Sequence, residues 1–130
     1  MSEPLSYILR IPKDELERQL FGRRTVYVSV SRDWSQGTLV LFVRKDLFIG
    51  SGLIERFVAL DMLEELEKKL CLENNWYGKI VFARLARFVP GVPVLSTPAA
   101  GQKPLALHGS SIAGIDALQI EELATARIIS

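Results

Sequence analysis

One cysteine and one histidine are all that the 130 residues contain. A lone Cys71 excludes an internal disulfide, and with only His108 to join it a zinc site has too few ligands. No apolar run approaches the roughly 20 residues a membrane helix needs. Residues 1–20 hold no uninterrupted apolar stretch of the kind a signal peptide uses. Neither sign of charge dominates: 16 basic residues face 15 acidic ones, a net of +1. That balance excludes a polyanion sponge and a disordered acidic tail. No internal repeat or low-complexity tract is present, and no Gly-rich loop runs into the Lys-Ser/Thr of a P-loop. The expectation is a cytoplasmic domain in a reducing compartment, with no cofactor. Ten arginines against six lysines, with prolines in the longest loops, suit a thermophile.

What is present is enough apolar material for one core. Hydrophobic residues make up 48% of the chain and charged residues 24%, so residues 1–130 read as a single domain. Leu5–Ile11 reads as a strand ended by Pro12, which suits the first turn of a helix to about Leu20, with Gly22 as its C-cap. Thr25–Ser31 alternates strictly, with Val26, Val28 and Val30 on one face. Thr38–Arg44 is almost continuously apolar, the pattern of a strand buried on both faces. Leu47–Phe57 is extended but interrupted by Gly50-Ser51-Gly52, as at a bulge, a corner or a close backbone approach.

Asp61 and Glu64 form a capping box for a helix whose Leu63, Leu66 and Leu70 make a buried stripe. Glu64–Lys68 and Glu65–Lys69 are its i,i+4 pairs. Lys79–Val89 returns to strand, ended by Pro90-Gly91-Val92-Pro93. A loop over residues 94–103, a short strand at Leu105–His108 and a helix over about Ala117–Ala126, capped by Asp116 and Gln119, complete the chain. The order β-α-β-β-β-α-β-loop-β-α predicts an α+β domain: a small mixed β-barrel of five to six strands with flanking helices. An open antiparallel sheet with helices on one face is the alternative.

Several residues are candidates for chemistry, each with a plainer reading beside it. Gly50 and Gly52 lack a Cβ and could admit a ligand to the backbone, or merely bend the barrel. Trp34, Phe48, Trp76 and Tyr77 could stack on unpaired bases, or cap the barrel ends. Charge is uneven: residues 57–78 carry two lysines against five acids, net −3. The flanking segments are basic, with Arg44, Lys45 and Arg84 placed at strand ends or on strands. Arg84 alternates with Ile80, Phe82, Ala86 and Phe88 and must either line a cleft or sit in an internal ion pair. His108-Gly109-Ser110-Ser111 could be read as a base beside a nucleophile, but no acid is in place to orient the imidazole. The Gly-Ser-Ser run could instead offer backbone N–H groups to an anion. Cys71 borders the leucine stripe and reads as a buried thiol.

Three segments together carry a family resemblance: Val26-Tyr27-Val28-Ser29-Val30 with Trp34, Gly37-Thr38-Leu39-Val40-Leu41-Phe42, and Phe48-Ile49-Gly50-Ser51-Gly52-Leu53-Ile54. They resemble the PUA-like superfamily, in which such strands close a small barrel. An archaeal PUA-like family related to the EVE, ASCH and YTH branches is the nearest likeness. Trp76 before the Ile80–Phe88 strand, Pro90 and Pro93 after it, and Gly109-Ser110-Ser111 extend it over most of residues 5–126. The resemblance implies a non-catalytic module that binds RNA or a nucleobase-like ligand in a cleft between barrel and helices, as a monomer or weak homodimer. In that reading Arg44, Lys45 and Arg84 meet phosphate, while Trp34, Phe48 and Trp76 stack. Gly50, Gly52, Ser110 and Ser111 give close backbone. A small hydrolase or ribonuclease of the ASCH type, using His108 or Glu55, is one alternative. The other is a protein-interaction adaptor using the leucine-rich helix or the residue 90–104 loop.

Overall fold

The computed structural model describes residues 5–30, 32–94, 97, 111–124 and 126–129. The expected strand Leu105–His108, Ser110 and most of the 94–103 loop lie outside them. Ten elements follow in order: β1 (Leu5–Arg10), α1 (Asp14–Arg23), β2 (Thr25–Val28), β3 (Leu39–Arg44), β4 (Leu47–Ala59), α2 (Glu65–Glu73), β5 (Gly78–Pro93), β6 (Ser111–Ala113), α3 (Gly114–Leu123) and β7 (Ala126–Ile129). The class is α+β, with one mixed sheet and three helices among the described residues.

The sheet runs β2-β5-β4-β3-β1-β6, and β7 joins β5 beside β2. β1 lies parallel to β3, with Tyr7 opposite Val40 and Arg10 opposite Val43; the other ladders are antiparallel. This path is open, with β2 at one end and β6 at the other, so the described strands do not close the barrel that the sequence predicts. Nor do the helices keep to one side. Leu20 and Phe21 of α1 pack with Leu9, Val40, Phe42, Ile54, Phe82 and Leu85 on one face. Ala117 and Ile120 of α3 pack with Ile8, Leu41, Val43, Phe48, Ala86 and Phe88 on the other. β3 therefore buries both faces, as its apolar run requires: Val40, Leu41, Phe42 and Val43 are all fully buried. Phe42 meets Phe82 edge-on at 5.2 Å and Phe21 at 6.4 Å, geometry worth about 0.5–1.5 kcal/mol per pair beyond the area buried.

Several boundaries differ from expectation for local reasons. Helix α1 runs through Gly22 and is capped by Arg24 in the left-handed region (φ 59), whose N–H donates to Leu20 O. β5 continues through Pro90 to Pro93, because its ladder with β4 skips from Arg87 to Val92. Pro90, which lacks an N–H, falls in the unpaired stretch. α3 starts at Gly114, placing Asp116 within its first turn.

The largest difference is α2. Leu60–Met62 forms a separate 3-10 turn, Leu63 is extended, and Glu64 caps the helix without a side-chain hydrogen bond. The break rotates the helix by about one residue. Leu63 and Cys71 are buried, with Glu67 between them half-buried. Leu66 and Leu70 point outward, at 85% and 41% exposure. Lys68 pairs with Glu65 at 3.9 Å instead of Glu64, and no i,i+4 pair involving Lys69 forms among the described residues.

Gly50 and Gly52 are needed by the core. A Cβ on Gly50 would lie 2.5 Å from Ala86 O and 2.9 Å from the Phe21 ring; one on Gly52 would lie 2.8 Å from Phe82 and 2.9 Å from Leu85. Gly50→Ala is expected to cost about 1–3 kcal/mol in urea unfolding by overpacking. Leu66→Ser, on the outward face of α2, is expected to stay within about 0.5 kcal/mol. A larger loss for the Leu66 variant than for the Gly50 variant would contradict the orientation of α2.

Candidate functional site

On the α3 face of the sheet lies a cleft of about 780 Å³. Three pieces of backbone build it. The first is the sheet itself, where strand alternation places Ser6 with Ile8, Leu39 with Leu41, and Arg84 with Ala86 and Phe88 on the same face. The second is the Gln36-Gly37-Thr38 turn at the rim. Gly37 adopts φ 85, donates from its N–H to Ile54 O at 2.8 Å, and leaves Thr38 O to accept from Ile54 N–H at 3.0 Å. The third is α3, which presents Gly114, Leu118 and Glu121, spaced i, i+4, i+7, while Ala117 and Ile120 turn into the core.

Arg84 reaches the cleft because of a bulge. Leu53 pairs with Arg84 and Ile54 with Phe82, so Ala83 has no partner on β4. The extra residue switches the faces of β5: Ile80 and Phe82 belong to the α1-side core, whereas Ala86 and Phe88 belong to the α3-side core. Arg84 therefore does not share a face with Ile80 and Phe82, as uninterrupted alternation predicts. It is exposed, lines the cleft, and makes no ion pair with any described acid.

Facing the sheet, Glu121 is held from below. The Ser51 hydroxyl, on a residue only 2% exposed, donates to Glu121 Oε2 at 2.6 Å. The Gly50-Ser51-Gly52 motif thus divides its work between the two faces. Its glycines make room for Phe21, Phe82 and Leu85, and its serine anchors a carboxylate in the cleft. Ser51 and Glu121 were not among the residues singled out from sequence. The usable signal is the alternation that sends Ser51 opposite to its flanking glycines, and the i, i+4, i+7 spacing on α3.

Of the sequence-predicted site residues, Arg84 and the backbone of Gly52 line this cleft, and the other described ones do not join them. Trp34 is 5% exposed within the α1-side core, edge-on to Tyr7 at 5.1 Å, and its Nε1 donates to Val30 O at 3.3 Å. Phe48 is fully buried in the α3-side core. Neither ring has a face free for a base. Arg44 is tied to α1 by Asp14 at 2.5 Å and Glu17 at 3.4 Å. Its hydrogen bond and charge hold the Asp14 carboxyl below the usual carboxylate range. Lys45 is an exposed turn residue with φ 55. Ser111 is exposed on β6, outside the cleft lining, and Ser110 lies outside the described residues. Gly50 serves the core, as above.

Trp76 belongs to a separate cluster where β2, β5 and α2 meet. It stacks on Tyr27 at 4.9 Å with an interplanar angle of 8°. The Tyr27 hydroxyl donates to Glu67 Oε1 at 3.3 Å, and Lys79 Nζ meets both oxygens of Glu67 at 2.9 and 3.1 Å. Cys71 lies beneath, its thiol pushed up by burial and by Glu67, the opposite of what a reactive cysteine needs. For the hydrolase alternative, Glu55 sits outside the cleft lining and pairs with Arg56 at 3.2 Å, and His108 lies outside the described residues. Among the described residues no cluster of His, Cys, Asp and Glu could hold a metal, and no helix is long and apolar enough to cross a membrane.

Burial, reinforced by Glu67, pushes the Tyr27 phenol up to about 12 from its ordinary 10.0. A phenol that stays neutral in the folded chain but ionises earlier in the unfolded one stabilises below pH 10. That contribution disappears as pH rises from 10 to about 12. Absorbance titration is expected to show one of the three tyrosines ionising late, and Tyr27→Phe is expected to flatten the fall in melting temperature across that window. A melting curve unchanged in shape by the substitution would refute the assignment. Comparison of the chain with protein-family models, with curated proteins and with solved structures finds no match.

Proposed function

We propose that this chain is a PUA-like module that binds RNA or a nucleobase-like ligand, without transforming it, in the cleft between its sheet and α3. One observation carries the reading: an arginine without an ion pair among the described residues and a pre-positioned carboxylate line a single concavity of about 780 Å³. That volume lies within the range of about 300–1,000 Å³ typical of small-ligand sites. Leu39, Leu53 and Leu118 supply apolar walls for the faces of a flat ring. Arg84 supplies a fork of donors suited to a phosphate oxygen pair. Gln36 and the Ser51–Glu121 pair supply polar groups for a base edge.

The aromatic rings that stack bases in many RNA readers are committed elsewhere, so this site works by enclosure and hydrogen bonding. Among the described residues its lining is also electrically balanced, since Arg84 and Glu121 are the charged residues there. A ligand that neutralises several phosphates is thereby disfavoured. A single nucleotide unit, free or presented by an RNA, is the favoured occupant.

Calorimetric titration at low salt with nucleoside monophosphates and short single-stranded RNA tests this. Saturable binding is expected, with the ligand recovered unchanged. Arg84→Ala is expected to weaken it about tenfold or more, the size of one charge-assisted hydrogen bond. The logarithmic salt slope is expected near −0.7, that of a single phosphate contact on a single strand. Absence of binding to any nucleotide or RNA at low salt would sink the proposal, and turnover of the ligand would replace it with the hydrolase reading.

A further inference from the structure

We infer that the cleft selects guanine among the nucleobases, through the carboxylate of Glu121; this rests on the nucleotide-binding reading above. A carboxylate in its ionised form only accepts hydrogen bonds, and its two oxygens offer about four lone-pair sites. The Ser51 hydroxyl occupies one site on Oε2. The remaining sites still suit two parallel N–H donors side by side.

The bases differ sharply on that count. Guanine carries N1–H and the N2 amino group on adjacent atoms of one edge, two donors at the spacing of a carboxylate. Adenine sets its N6 amino group beside an N1 acceptor, and cytosine sets its N4 amino group beside an N3 acceptor. Each would turn a lone pair toward the carboxylate. Uracil offers N3–H flanked by two carbonyl oxygens. Only guanine meets Glu121 with two donors and no opposing acceptor, and a base that leaves such a group half-paired in a cleft forfeits its desolvation.

Two features make Glu121 a reader rather than a solvated surface acid. Ser51 belongs to β4, paired on both sides in the sheet and buried, so the carboxylate is oriented by rigid backbone. Moreover, neither Arg84 nor any other described cation forms an ion pair with Glu121. Among the described residues its capacity to accept is therefore spent only on the Ser51 hydroxyl. Arg84, also unpaired among the described acids, lines the same cleft and can meet the phosphate while Glu121 reads the base.

The test is an affinity series with the 5′-monophosphates of guanosine, inosine, adenosine, cytidine and uridine, run on the unmodified chain at low salt. Guanosine monophosphate is expected to bind tightest. Inosine monophosphate, which keeps N1–H but lacks the N2 amino group, is expected about tenfold weaker, and the other three weaker again. Glu121→Gln replaces an all-acceptor group by one acceptor and one donor, and is expected to bring the five ligands within about threefold of each other. Ser51→Ala removes the anchor but leaves the carboxylate, and is expected to lower guanosine monophosphate affinity while keeping the rank order. Adenosine or cytidine monophosphate binding as tightly as guanosine monophosphate would overturn the guanine inference and leave nucleotide binding standing. Failure of all five to bind would overturn the guanine inference, and failure of short single-stranded RNA as well would overturn both. The wild-type series decides the matter even where a variant fails to fold.

Discussion

A strand that alternates strictly buries the same face from end to end, and β5 does not. Its 16 residues form the seam of the molecule, holding β4 along one edge and both β2 and β7 along the other. Up to Phe82 its inward side chains serve the α1-side core; after Ala83, Leu85 continues that role while Ala86 and Phe88 serve the α3-side core. The unpaired Ala83 is what allows one strand to supply two cores. β4 answers with an extra residue of its own at Glu55, between the Phe82 and Val81 pairings, so the ladder regains register beyond it. Two cores on two faces of one sheet account for the full burial of β3. They also explain the glycines at 50 and 52, where the core side chains crowd a central strand too closely for a Cβ.

The cleft is the other product of that switch. Without it, Arg84 would share the face of Ile80 and Phe82, which are 0% and 2% exposed, and a guanidinium there would be buried at a cost of several kcal/mol unless paired. With it, Arg84 moves to the face of Ala86, where both residues line the cleft beside α3. Three other basic residues are paired locally. Arg44 is held by Asp14 and Glu17, Arg87 by Glu17 and the Phe21 ring at 4.9 Å, and Lys79 by Glu67. Pairs of this kind near the surface add little stability, about 0–1 kcal/mol each, but they remove those charges from competition for a ligand.

Much of the chain was readable because local pattern and tertiary environment agree. The alternation of Val26 and Val28, the continuous run of β3 and the glycine interruption of β4 each describe an environment, and each is found there. Two of the failures share one physical cause: a phase change that no local pattern carries. Leu63, Leu66 and Leu70 are spaced for one helical stripe. The 3-10 turn at Leu60–Met62 detaches Leu63 from the helix, and the buried line becomes Leu63, Glu67 and Cys71. Arg84 was assigned by parity across a bulge that its sequence does not announce. Trp34, in a polar turn, takes its core position from tertiary contact: it meets Tyr7 of β1 edge-on, while its Nε1 donates to the nearby Val30 O. Ser51 and Glu121 lie 70 residues apart, and only the sheet–helix packing brings them together.

These phase changes also alter what the near-zero net charge means. A chain of net +1 has little long-range field with which to draw in a polyanion. Recognition must then come from short-range chemistry in a confined space, where a hydrogen bond to a charged group is worth more than in open water. The cleft has that arrangement: two opposite charges, neither paired with the other, set in apolar walls. Each favours a ligand group the other repels, so in the proposed binding role discrimination would follow the order of donors and acceptors along the ligand rather than its total charge. A guanine nucleotide, with an anion at one end and two adjacent donors on its base, presents that order.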